Sequence, residues 1–256
     1  MRFDFFLSNF GYVKSRQKAK TLIEGGFVTV DGAIIKKPSF EIDENGEYFI
    51  EINDPCPYVS RGGLKLQKIL DESGININGK KAIDIGASTG GFTDCLLQHG
   101  ASLVCAVDSG SNQLDERLKN DNRVISIENY NARDISYQDV GFLADIITVD
   151  VSFISQTYII EPASKLLSID GIYIGLIKPQ FEVGASKIGK GGIVKNSKDR
   201  LFAVEKVLSC ASLNGLKCIF FTKSPIKGGD GNEEYLVMLS KTGDEVSIDK
   251  IKRIFN

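Results

Sequence analysis

The sequence predicts an α/β protein: a seven-stranded, mostly parallel sheet wound by helices, preceded by a small α+β domain. From residue 80 onward the apolar runs KAIDI, LVCAV, VISI, DIITV, GIYIGLI, LKCIFF and YLVML alternate with helical stretches, the pattern of strands joined by crossover helices. Before residue 55, two short helical patterns precede a tight hairpin. The chain has 256 residues, 42% of them hydrophobic, enough to bury one medium core and a small appendage. The expected division is 1–54 for the small domain, 55–60 for a linker, 61–242 for the large domain and 243–256 for a tail.

No apolar run reaches the roughly 20 residues of a membrane span. The apolar part of MRFDFFLSNFG is too short, and acquires charge too early, for a secretory signal. The five cysteines, at 56, 95, 105, 210 and 218, lack C-x-x-C spacing. That pattern argues against a disulfide framework or a zinc site and for a reducing, cytoplasmic setting. The single histidine, His99, reads as a helix-terminal surface residue.

In the small domain, Phe3, Phe6, Leu7 and Phe10 recur at helical spacing. Ser15 then reads as the N-cap of a second helix that turns Ala19, Leu22 and Ile23 inward and ends at Gly25. FVTV and AII, joined by Asp31-Gly32, form a hairpin with a type I′ turn. The net charge of −2 is unevenly spread: residues 1–40 hold seven Lys/Arg against three acids, and 41–54 hold six acids and no base. Lys14, Arg16, Lys18 and Lys20 crowd the second helix with no acid among them, a face suited to phosphates. From charge alone a merely solvated helix face explains them equally well. The run R-x-D-x-x-L…S-R-x-x-A-x-x-L-I-x-x-G-x-V-x-V-D-G…K-P, from Arg2 to about Ile52, resembles the RNA-binding domain named after ribosomal protein S4. That resemblance implies binding of structured RNA by shape and backbone.

The Asp54-Pro55-Cys56-Pro57-Tyr58 run is similar to motifs of base-modifying methyltransferases, but it precedes the first strand of the large sheet. It is expected to be a stiff linker.

In the large domain, Asp84, Gly86, Ala87, Ser88, Gly90, Gly91 and Phe92 join the first strand to a helix in the order D-x-G-x-x-x-G-G. Glycines let backbone approach a ligand, and a helix N-terminus offers unpaired N–H groups. The spacing is not the G-x-G-x-x-G of dinucleotide enzymes, which disfavours NAD. Asp108 ends the second strand, 24 positions after Asp84, where a carboxylate accepts ribose hydroxyls of an adenosine-type cofactor. Asn131, within 129–134 after the third strand, is a candidate adenine contact borrowed from the general methyltransferase plan. Asp150 ends the fourth strand and Lys178 the fifth, so both face the ligand crevice of an open sheet. Lys65 lies on the helix entering the domain, and Glu234 just before the last strand. A lysine can hydrogen-bond a sugar hydroxyl and take its proton, and carboxylates can hold two lysines in register. Each of the four alone reads equally well as a cap or surface residue. Residues 182–195 hold Gly184, Gly189, Gly191 and Gly192 among three lysines, and are either a flap or a plain surface loop. Gly229 to Asn232 suggest a hairpin before the last strand.

Residues 60–240 are similar to the TlyA (haemolysin A) family, related to FtsJ-type ribosomal RNA methyltransferases. The resemblance rests on V-S-R-G-x-x-K-L, D-x-G-A-S-T-G-G-F-T, D-x-S-F-I-S, K-P-Q-F-E-V-G, G-G-I-V and S-P-I-x-G…G-N-x-E-Y. It implies a Rossmann-like methyltransferase that uses S-adenosylmethionine, without a metal, to methylate a cytidine 2′-hydroxyl in 23S rRNA and, in some members, 16S rRNA. Lys65, Asp150, Lys178 and Glu234 match the family's tetrad, and Arg61 joins the expected RNA contacts. The implied partner is ribosomal RNA or a ribosomal subunit, and no membrane. Asp108-Ser109-Gly110-Ser111-Asn112 stands where the family commonly has V-G-Y-G. Three other readings compete: a membrane-active haemolysin, disfavoured by the lack of a long apolar or cationic amphipathic segment; a catalytically inactive RNA-binding assembly factor, disfavoured by the complete tetrad; and a base methyltransferase, disfavoured because the fourth strand ends in D-V-S-F without a proline-aromatic or cysteine motif.

Overall fold

The helical spacing in the first residues becomes α1 (Phe3–Asn9), which buries Phe3, Phe6 and Leu7, whereas Phe10 at its end is half exposed. Ser15 caps α2 (Arg16–Glu24) by accepting from the Lys18 amide, and Ala19, Leu22 and Ile23 point inward. The left-handed residue that ends this helix is Gly26 (φ 76°), one beyond the expected Gly25, which stays right-handed. Strands β1 (Val28–Val30) and β2 (Ala33–Ile34) meet at Asp31 (φ 49°) and Gly32 (φ 81°), and β3 (Ile50–Ile52) pairs antiparallel with β1 on its other edge. These elements enclose a small core of Phe3, Leu7, Ile23 and Val28. The computed structural model describes residues 1–228 and 231–255 and divides into two compact units, Met1–Pro57 and Tyr58–Asn256.

The second unit begins earlier than residue 61. Tyr58 is buried, and the Val59 amide donates to Asp94 Oδ2 at 2.8 Å. The order is then α3 (Gly62–Ser73), β4 (Lys81–Ile85), α4 (Gly91–Gln98), β5 (Leu103–Val107), α5 (Glu116–Lys119), β6 (Val124–Ile127), α6 (Tyr137–Val140), β7 (Ala144–Val149), α7 (Thr157–Leu166), β8 (Leu167–Ile177), α8 (Pro179–Glu182), α9 (Ser197–Leu213), β9 (Lys217–Lys223), β10 (Tyr235–Ser240) and α10 (Ile248–Lys252). The seven strands run in the order β6-β5-β4-β7-β8-β10-β9. All neighbours from β6 to β8 are parallel, and β10 is antiparallel to both β8 and β9. Strands buried on both faces need continuous apolar runs, and Ile83, Ile85, Ile147, Val149, Ile177 and Val237 are all fully buried.

The β9–β10 hairpin is present; of its expected turn, Gly229 and Asp230 lie outside the described residues. The expected tail is not an appendage, because Ile251 of α10 is 1% exposed and belongs to the main core. Among the described residues no helix is long and apolar enough to cross a membrane. The strand order reverses between β4 and β7, and in an open α/β sheet the crevice for a ligand opens at the carboxyl ends of the strands there.

Candidate active site

At that switch point the chain after β4 and the chain after β7 are in backbone contact. The Asp150 amide donates to Ile85 O at 2.9 Å, and a Cβ on Gly86 (φ 83°) would stand 2.6 Å from Asp150 O. Only glycine permits this approach. A cleft of about 310 Å³ opens there, lined by the 86–89 turn, the α4 start at Gly91 and Phe92, and the side chains of Lys65, Asp150 and Lys178.

Four sequence-distant charges meet in two pairs. Lys178 Nζ lies 2.7 Å from Asp150 Oδ1 and donates to Ser152 Oγ at 2.7 Å. Asp150 Oδ1 is buried and faces the ammonium as its ion-pair partner. Lys65 Nζ donates to Glu234 Oε2 at 2.6 Å, with both groups buried. Buried unlike charges have to be paired, since desolvation of either alone costs several kcal/mol. Lys65 is delivered by small residues: a Cβ on Gly91 would strike Ser60 Oγ at 2.3 Å and Gly63 N at 3.0 Å, so the starts of α3 and α4 touch.

The expected cofactor residues separate into two groups. Gly86, Ala87, Ser88, Gly91 and Phe92 line the cleft, and so does Arg61. Asp84, Gly90, Asp108 and Asn131 do not. Asp84 is fully buried, with Oδ2 accepting from Thr93 Oγ1 and Oδ1 from Thr148 Oγ1, each at 2.7 Å. Burial pushes its carboxyl up to about 6, against the pull of those two hydroxyls. Gly90 (φ 94°) faces Leu114 and Leu118, which a Cβ would strike at 2.8 and 2.2 Å. Asp108 accepts from the Ser88 and Gly110 amides, at 2.7 Å each, and so shapes the turn. Asn131 is exposed and accepts from the Arg133 amide.

The cations of the first unit are not free of acids. Arg16 donates to Asp4 Oδ2 at 3.0 Å, Lys18 pairs with Asp54, and Lys20 stands 3.8 Å from Glu24. Asp4, buried and also gripped by Arg2, is held down to about 2, chiefly by the Arg2 hydrogen bond. Glu24 lies one turn along the same helix, whereas Asp4 and Asp54 come from other parts of the fold, which residue order along one helix does not reveal. Lys14 is exposed.

Three residues singled out by no spacing argument stand out: Ser152 lines the cleft, and Glu182 and Phe153 lie on the segments that follow β8 and β7. Ser152 receives the Lys178 ammonium. Glu182, in the K-P-Q-F-E run, is buried and accepts from Ser155 Oγ, the Gln156 amide and Lys206 Nζ, bracing the loop after β7 against the end of β8. Phe153 sits at φ 63°, a costly conformation for an aromatic residue, and its ring is 93% exposed, 5.3 Å from that of Phe181. The signal for all three was their place inside the D-V-S-F-I-S and K-P-Q-F-E motifs. Among the described residues no group of three His, Cys, Asp or Glu is placed to hold a metal.

A doubly wound sheet with a glycine turn at its switch point and two lysine–carboxylate pairs beside it defines a group-transfer enzyme of the Rossmann-like class. The family profile described as FtsJ-like methyltransferase matches residues 58–241, and that of the S4 domain matches residues 1–47. Hemolysin A of Brachyspira hyodysenteriae is 43% identical, over 92% of this chain and 98% of that one. The 16S/23S rRNA (cytidine-2'-O)-methyltransferase TlyA of Mycobacterium tuberculosis is 36% identical, over 95% of this chain and 91% of that one. A solved Streptococcus thermophilus chain described as a hemolysin superposes with a TM-score of 0.80 at 38% identity, covering 100% of this chain and 94% of that one. The chain belongs to the FtsJ-like methyltransferases and, within them, to the TlyA (hemolysin A) family, with an S4 domain at its start.

Proposed function

We propose that this protein transfers a methyl group from S-adenosylmethionine to the 2′-hydroxyl of a cytidine in ribosomal RNA, with 23S rRNA as the first target and 16S rRNA as a second, in the cytoplasm. The observation that carries the reading is the meeting of Lys65, Glu234, Asp150 and Lys178, drawn from four separate stretches of chain, at one cleft beside the glycine turn. The target chemistry is supported by the names of relatives in M. tuberculosis and Campylobacter jejuni, both cytidine-2'-O-methyltransferases.

The residues present fit the cofactor. Gly86, Ala87, Ser88 and Gly91 line the cleft at the start of α4, and helix N-termini suit polar and anionic groups. Gly86, Ala87, Ser88 and Gly91 would hold it. When bound, it supplies an electrophilic methyl carbon on a sulfonium.

A sugar hydroxyl is a poor nucleophile, so the protein's task is to aim its oxygen and accept its proton. Lys178, steered by Asp150 and Ser152, would bond the oxygen, and once it has given its own proton to solvent its neutral amine would take the hydroxyl proton as the methyl group transfers. Lys65, held by Glu234, supplies a second fixed donor. Holding both pairs ready removes reorientation from the barrier. The exposed Phe153 face offers a base a surface on which to stack, and Arg61 a contact for backbone phosphate. Lys14, Arg16, Lys18 and Lys20 would bind RNA phosphates, the last three by exchanging their carboxylate partners for them.

Mass-spectrometric mapping of ribose methylation in both rRNAs, with and without the gene, tests the reading. One cytidine should lose its 2′-O-methyl group in the deletion strain and regain it on complementation. Identical maps would refute the proposal.

A further inference from the structure

Glu234 can serve the site only if its carboxylate points at Lys65, and the chain on either side of it is gripped by a residue outside the cleft. Arg200, in the first turn of α9, keeps a side chain only 16% exposed. Its Nη1 donates to Lys195 O at 2.6 Å and to Val194 O at 3.3 Å. Its Nε donates to the Tyr235 hydroxyl at 3.1 Å, and its Nη2 stands 3.3 Å from Glu233 Oε2. Glu233 is further held by Lys223 of β9 at 2.9 Å. Tyr235 is anchored at 1% exposure, with Phe221 and Phe255 rings beside it.

In extended chain, residues two apart share a side and the one between faces the other way. The Ser224 amide donates to Glu234 O, continuing the β9–β10 ladder through this residue. Arg200 therefore grips both residues flanking Glu234 on one side, which leaves the Glu234 carboxylate on the other, toward Lys65. A second stitch runs parallel: Asn232 Oδ1 accepts from the Val194 amide, and its Nδ2 donates to Gly192 O, both at 2.9 Å. Through these bonds the glycine-rich loop that ends at Lys195 and the approach to β10 form one connected body.

We infer that Arg200 is a positioning residue that couples the 184–195 loop to the orientation of Glu234. A planar guanidinium meets four acceptors on two segments at once, which a lysine cannot do. A loop displaced by bound RNA would shift Glu234 against Lys65, and a loop seated correctly would complete the pair. The kinetic part of this inference rests on the methyl-transfer reading; the mechanical part does not.

Arg200→Ala and Arg200→Lys in the full chain test it. Both should lower kcat by roughly ten- to a hundredfold while KM for S-adenosylmethionine stays unchanged. Free guanidinium ion should restore part of the Arg200→Ala rate, which a merely structural defect would not allow. In parallel, trypsin should cut at Lys187, Lys190 and Lys195 faster in Arg200→Ala than in the unaltered chain. If Arg200→Ala fails to fold, Tyr235→Phe and Glu233→Gln, each removing one grip, should give smaller losses of the same kind. An unchanged kcat per folded molecule, or a loss that follows the folded fraction and ignores guanidinium, would overturn the inference. Should the unaltered protein methylate no rRNA, the functional reading falls, and unchanged tryptic protection in Arg200→Ala then overturns the coupling by itself.

Discussion

Two glycine-rich segments look alike in the sequence, the turn from Gly86 to Gly91 and the loop from Gly184 to Gly192, and the fold uses them differently. In the turn, positive φ and crowding coincide: Gly86 lies against Asp150 backbone and Gly90 against Leu114 and Leu118. In the loop, Gly184, Gly191 and Gly192 have positive φ, yet a Cβ at any of them meets nothing within 4 Å. Glycine in the first place serves close packing; in the second it serves only the bend. The difference teaches that composition identifies a flexible segment, whereas what surrounds each Cα decides whether a side chain is tolerated.

That contrast makes graded predictions. Gly90→Val should be the most damaging, combining a disfavoured φ with overpacking against Leu118, at about 4 kcal/mol; chemical denaturation measures it, and calorimetry should show weakened S-adenosylmethionine binding. A loss below about 1 kcal/mol would mean that the turn relaxes freely. Asp84 forms the buried floor of the same turn, and its raised carboxyl makes the native state bind more protons than the unfolded chain between its ordinary value and about 6. Stability should therefore fall as pH rises through that window, by up to about 3 kcal/mol. In Asp84→Asn the pH dependence across it should flatten, as followed by thermal unfolding. Gly86→Ala should cost about 2 kcal/mol and lower activity by pushing the Asp150 carbonyl. Gly191→Ala should cost only about 1 kcal/mol of backbone strain, with activity nearly intact. If Gly191→Ala proves as harmful as Gly86→Ala, the comparison fails.

Much of this architecture was legible beforehand. Apolar runs marked the strands because parallel strands are buried on both faces, and Asp150 and Lys178 followed from their places at strand ends. The limits lay where a side chain's partner comes from far along the chain. Asp84 and Asp108 stand at the strand positions expected of cofactor ligands, but residue order did not reveal that Thr93, Thr148 and two backbone amides donate to their oxygens. Lys20 has Glu24 one turn along its own helix, but Asp4 and Asp54 reach Arg16 and Lys18 only through the fold. The last residues read as a tail because a single buried side chain, Ile251, leaves almost no periodic signal. Glu182 and Arg200 act through contacts that link loops, and no spacing rule covers those.

The central claim is that paired charges beside the glycine turn activate the acceptor oxygen and do not hold the cofactor. The most direct measurement is single-turnover methyl transfer to rRNA by Lys178→Ala, with S-adenosylmethionine binding measured on the same preparation. The rate should fall by about 10²–10⁴-fold with cofactor affinity unchanged. A mutant that transfers methyl groups at the unaltered rate, or one that loses cofactor binding instead, would contradict the account.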